Sequence, residues 1–236
     1  MAREVLIRNH KEPHKYASRL RDFILGWQDG VVNVLGVTLG VATATNDLRL
    51  ILIAALAATF AESISMMAVA YTSFKAENDF YKSEVQREKN EMREMPDQER
   101  NEVRTIFRKL GFSGSLLNSA VKRITANKKR WLDMMMEYEL KLSPPKHSPL
   151  NVAIVVGLSA VVGSLIPIIP FLFLPINSAI LGSVLLSTSV LFFVGLYKGY
   201  STIGNPLRSG IEMALIGILA ALAGYGIGAV LGATIF

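Results

Sequence analysis

The sequence predicts an all-α membrane protein, with five transmembrane helices and a helical cytoplasmic insert between the second and third. Two observations carry this. Of 236 residues, 51% are hydrophobic and 19% charged, and several uncharged runs exceed the ~18 apolar residues that mark a spanning helix. The cations are also segregated: of 25 Lys and Arg, six lie in 1–22, sixteen in 74–150, one at Arg49 and two in 198–208. A soluble enzyme, a disordered chain and a disulfide scaffold are excluded. The absence of cysteine removes thiolate metal sites, Fe–S clusters and Cys nucleophiles. The net charge of +6 fits the Lys/Arg enrichment of cytoplasmic loops and calls for no nucleic-acid partner.

The chain divides into an N-terminal cytoplasmic segment (1–22), spans one and two (23–74), the insert (75–147) and spans three to five (148–236). The first apolar run covers 23–45 and, lacking a cleavage site, is no signal peptide. After the Asn46-Asp47 turn the second covers about 50–74. The others cover about 151–174, 177–200 and 209–236, each long enough for a ~30 Å hydrocarbon core. A cytoplasmic N-terminus with five spans puts all three cation-rich segments on one side. Pro167 and Pro170 should kink or end the third span, and Lys198 snorkels to the cytoplasmic surface. Gly26/Gly30 and Gly36/Gly40 give the first span two small-xxx-small pairs, a candidate homodimer contact.

In the insert, Val85, Met92, Val103, Ile106, Phe107 and Leu110 interleave with charges, the pattern of amphipathic helices. Pro96-Asp97 reads as a helix start, Gly111-Phe112-Ser113-Gly114 as a turn and Ser143-Pro144-Pro145 as the close. Helices are expected over 75–94, 97–110 and 115–142, the last broken near Asn127. No Gly or Pro separates Glu62 from Met95, so the first of these should continue the second span.

An ionisable side chain at membrane depth costs about 2.5–3.5 kcal/mol on insertion scales and needs a reason. Asp29 and, one turn on, Asn33 share a face of the first span; Glu62 and Met66 do so on the second. Carboxylates and a thioether suit a partly dehydrated transition metal, while the competing reading is an interfacial Asp29 and ordinary packing for Met66. Glu212 reads as a helix-start charge. In the insert Glu84, Glu88 and Glu91 share a helix face, Glu99 and Glu102 follow Pro96, and Met135, Met136 and Glu139 fall within about one turn. These groups either meet in an oxygen-and-sulfur metal site or are solvated helix faces and core methionines. His10, His14 and His147 stand apart, and no Glu-x-x-His pair points to a di-iron bundle. No phosphate loop, Ser/His/Asp set or zinc-hydrolase motif occurs, so no catalytic residue, cofactor or enzyme activity is expected.

Several pieces, in order, resemble the vacuolar iron transporter family of divalent metal–proton exchangers. They are Asp29-Gly30-Val31-Val32-Asn33, Ile64-Ser65-Met66 with Tyr71, Lys75, Glu77 and Tyr81, Trp131 through Leu140, Ile166-Pro167-Ile168-Ile169-Pro170 and Lys198-Gly199. The resemblance covers most of the chain from about Arg21. It implies a homodimer of five-span protomers with a path near the interface, lined by the first spans. It also implies a cytoplasmic metal-binding domain, with Glu88, Glu91, Glu99, Glu102, Met135, Met136 and Glu139 at the matching positions. Asp29 and Met66 match the membrane path. Plant members carry a glutamate two turns before the membrane methionine; here that position is Ala58, and Glu62, one turn later on nearly the same face, stands in its place. The expected activity is export of Fe2+, and of Mn2+, from the cytosol in exchange for protons, with Co2+ and Zn2+ also compatible with the ligands. The rival is a metal-binding membrane sensor or buffer that transports nothing. The membrane is the plasma membrane in a prokaryote, which the short N-terminus favours, and the vacuolar membrane in a eukaryote.

Overall fold

The computed structural model describes residues 14–145, 147–201 and 204–235, all helix and connecting turns with no strand among them. The expected N-terminal segment 1–22 falls outside the described residues as far as Pro13. Helices α1 (His14–Thr45), α2 (Leu48–Glu94), α3 (Pro96–Lys109), α4 (Gly114–Thr125), α5 (Lys128–Met134), α6 (Pro149–Leu165), α7 (Ile169–Phe173), α8 (Ile176–Ser201) and α9 (Pro206–Ile235) follow in order. Among the described residues, five stretches are long and apolar enough to cross a membrane: Leu20–Thr45, the first part of α2, Pro149–Phe173, α8 and Pro206–Ala233. The chain forms two compact units, 72–149 and the rest.

In the larger unit α1 is the hub. Its Ile24, Trp27 and Val31 pack with Leu191 of α8 and Met213 of α9. Val34 packs with Ala55 of α2 and with Ile168, and Leu35 and Leu39 with Ala221 of α9. Glycines permit this crowding. A Cβ on Gly30 would collide with the Ala160 carbonyl of α6, and one on Gly228 with the Gly40 carbonyl. The glycine pairs offered above as a dimer contact are therefore consumed inside the chain: Gly26 and Gly30 face α6, Gly36 and Gly40 face α9. Without a hydrophobic drive between helices in lipid, close backbone approach is what holds such pairs, and in-chain neighbours supply it first. Pro167 and Pro170 do not end the third span. They convert Ile166–Ile168 to a 3-10 turn, after which α7 continues to Phe173.

The smaller unit contains the end of α2 and α3 to α5. Pro96 opens α3 with Asp97 and Glu99 in its first turn, favourable at the helix N-terminus. Asn127 caps α5, its side chain accepting from the Lys129 and Arg130 amides. The break near Asn127 is thus a new helix start. Val103, Phe107, Leu117, Val121, Trp131 and Met135 form the core.

Candidate metal sites

In the smaller unit the Met95-Pro96 turn folds α3 back on α2, so Glu88, seven residues before the turn, meets Glu99, three after it. Glu139 joins them from a segment the sequence did not announce: Met135–Glu139 is a π-helical turn, closed by the Leu140 amide on the Met135 carbonyl at 3.1 Å. Such wide turns recur at functional sites. One carboxylate oxygen from each of Glu88, Glu99 and Glu139 lies within 4.8 Å of the others. Glu88 and Glu99 are 1% and 3% exposed, and Glu139 stands at the exposed edge.

Burial pushes the Glu88 carboxyl up to about 8, with its hydrogen bond to Glu99 and the charges of Glu99, Glu139 and Glu91 adding to it. Glu99 is raised by burial as well, against the hydrogen bond from Glu88, which favours its ionised form. Protonated Glu88 is therefore the donor and Glu99 the acceptor. Desolvation pushes Glu139 up to about 7, helped by Glu102 and Glu99. Glu88 Oε1 and Glu99 Oε2 are buried with no donor, and buried acceptors in that state call for an ion or a proton.

Of the seven insert residues named from the sequence, three meet directly, while Glu91 and Glu102 stand around them as half-buried charges. Met135 is fully buried in the apolar core beside Trp131 and Val103. Met136, 3% exposed, lies outside that core cluster.

In the larger unit Asp29, Glu62 and Met66 are half-buried and Asn33 exposed. Asn33 Nδ2 donates to Glu62 Oε1 at 3.0 Å, joining α1 to α2. Asp29 acts on Glu62 through charge and side-chain contact, yet Glu62 Oε2 is buried without a donor. Sequence reasoning placed Asn33 on this face but could not see its partner, because 29 residues separate the two. It missed Asp22, which is 4% exposed and bonded to Arg21 at 3.2 Å; in the sequence it is one more charge of a polar segment.

A family model described as the VIT family matches residues 20–229. The "Vacuolar iron transporter" of Centaurea cyanus is 35% identical over 224 residues, covering 94% of this chain and 91% of that protein. "Vacuolar iron transporter 1" of Eucalyptus grandis is 34% identical over 224 residues, with 94% and 90% covered. "Vacuolar iron transporter 1" of Arabidopsis thaliana is 32% identical over 226 residues, again 94% and 90%. With its five apolar helices and carboxylate clusters, this chain belongs to the VIT family, the family of the vacuolar iron transporters.

Proposed function

We propose that this protein carries Fe2+, and Mn2+, out of the cytosol across a membrane in exchange for protons, working as a homodimer with its N-terminus and insert cytoplasmic. The names of its relatives support iron as cargo, and the segregation of Lys and Arg supports the orientation. One observation carries the transport reading. Asn33 lies about midway along Leu20–Thr45, and Glu62 about midway along 50–74. This contact between two polar side chains thus sits where unpaired polar groups are most costly, and it leaves a carboxylate oxygen without a donor. A structural brace would pair that oxygen; a transient cation site leaves it open. Asn33, exposed at that depth, belongs against a water-filled route or a second copy rather than lipid.

In the insert, Glu88, Glu99 and Glu139 capture metal, with Glu91 and Glu102 adding field around them and Met136 supplying soft character, while Met135 serves the core. Capture releases the protons that these carboxyls hold. The ion then passes to Asp29, Glu62 and Met66. A proton arriving from the acidic side competes for the same oxygens and favours release, which couples the two fluxes.

The test is metal uptake into proteoliposomes with and without an imposed pH gradient. Uptake should require the gradient; equal uptake in its absence would point to a uniporter. Asp29→Ala and Glu62→Ala decide against the sensor reading: flux should vanish while the insert still binds metal.

A further inference from the structure

We infer that Asn33 is a positioning residue that turns Glu62 into a one-oxygen ligand and thereby sets the cation selectivity of the membrane site. The inference rests on the reading of Asp29 and Glu62 as the membrane cation site, and it concerns a residue outside the metal-ligand set.

The geometry is direct. An ionised carboxylate can only accept, so the side of the Asn33 amide facing Glu62 must be its NH2. The 3.0 Å bond engages Glu62 Oε1, leaving Oε2, which is buried, without a donor, and Asp29 acts on the same carboxyl group. Asn33 is one turn from Asp29 on α1, and Met66 is one turn from Glu62 on α2. A cation between the helices thus meets one oxygen of Glu62, the carboxylate of Asp29 and the thioether of Met66.

Coordination chemistry gives this consequence. Ca2+ gathers six to eight oxygens and can take both oxygens of a carboxylate. Smaller transition ions accept fewer ligands and tolerate sulfur. An amide that keeps Oε1 engaged denies the site its second Glu62 oxygen, a loss that falls hardest on Ca2+.

The experiment uses the full-length protein with Asn33→Leu, nearly isosteric and without a donor, and Asn33→Ala as a second variant. The first readout is the ratio of the Ca2+ inhibition constant to the Fe2+ half-saturation constant in proteoliposomes, which does not depend on the active fraction. Both variants should lower that ratio about tenfold, the size of one charge-assisted hydrogen bond; a ratio at the wild-type value overturns the inference. The second readout needs no flux. Infrared difference spectra on adding Mn2+ contain carboxylate bands of Glu62, identified by their loss in Glu62→Gln. The separation of the antisymmetric and symmetric stretches should be wide, as for one-oxygen ligation, in the wild type and narrow in Asn33→Leu. Wide in both overturns the inference while leaving transport standing. A wild type that carries no flux but shows the change in band separation refutes transport and keeps the role of Asn33. No Glu62 band in any protein overturns the inference together with the reading of Glu62 as a metal ligand, whatever the flux.

Discussion

Glu88→Gln should stabilise the metal-free insert at neutral pH and weaken its hold on metal. The Gln amide can still donate to Glu99, so the hydrogen bond survives while the ionisation is removed. Glu88 titrates near 8 in the fold against an ordinary 4.5. Between those values the folded state binds a proton that the unfolded chain does not, so stability falls as pH rises through the window. Holding that proton at pH 7 costs at most about 3 kcal/mol. Water at the exposed Glu139 edge screens the cluster, which leaves about 1–2 kcal/mol to be gained by the substitution. The chain has two tryptophans, and Trp131 is buried in the insert core. In a Trp27→Phe background, urea unfolding of the full-length protein followed by Trp131 fluorescence, with chelator present, reads this unit. The wild type should be more stable at pH 6 than at pH 8, and Glu88→Gln should flatten the difference. Metal at a hundredfold over its Kd should restore about 3 kcal/mol to the wild type at pH 8 and much less to the variant. Equal wild-type stability at pH 6 and pH 8, together with no effect of Glu88→Gln, would refute the reasoning.

Metal affinity of the insert, measured by titration calorimetry, should rise from pH 6 to pH 8 with release of more than one proton per ion, because Glu88, Glu99 and Glu139 are all raised; proton release of zero in buffers of different ionisation enthalpy contradicts it. Gly30→Val should lower the thermal midpoint or abolish a monodisperse peak, since its side chain meets the Ala160 carbonyl and Ser164, whereas Gly226→Ala, with open space around it, should behave as wild type. Asn127→Ala removes the cap of α5 and should cost about 1 kcal/mol by Trp131 fluorescence; no loss would mean that the cap is not what starts α5.

The spans were legible because a bilayer enforces length and apolarity, and both are local properties of a sequence. The continuity of α2 from Leu48 to Glu94 was legible for a similar reason: no breaker lies within it. The acids of the insert were legible as spacing, but their meeting depends on the Pro96 turn and on a π turn at Met135–Glu139, a rare element that no spacing in the sequence marks. The glycines misled because periodicity shows that a face permits close approach without naming the helix that takes it. Gly36 and Gly40 look outward in the sequence and are met by α9. Asn33 and Glu62 could be placed on their helix faces, but the bond between them is a property of how α1 and α2 pack.

The two sites differ in a way that the proposed exchange would need. Three carboxylates close enough to share protons, with Glu91 and Glu102 beside them, make a high-field trap whose occupancy follows pH. Such a trap suits capture from dilute cytosolic metal and is unsuited to passage, because each ion must leave against several charges. The proposed membrane set is thinner: Asp29, one free oxygen of Glu62 and a thioether, with the second oxygen of Glu62 held by Asn33. Fewer ligands mean weaker binding, and weaker binding at mid-membrane would keep an ion from stalling where no water can help it leave. A second free oxygen on Glu62 would deepen the well there, so the amide proposed to narrow selectivity would also keep the site shallow. Both proposed properties rest on one hydrogen bond between two helices.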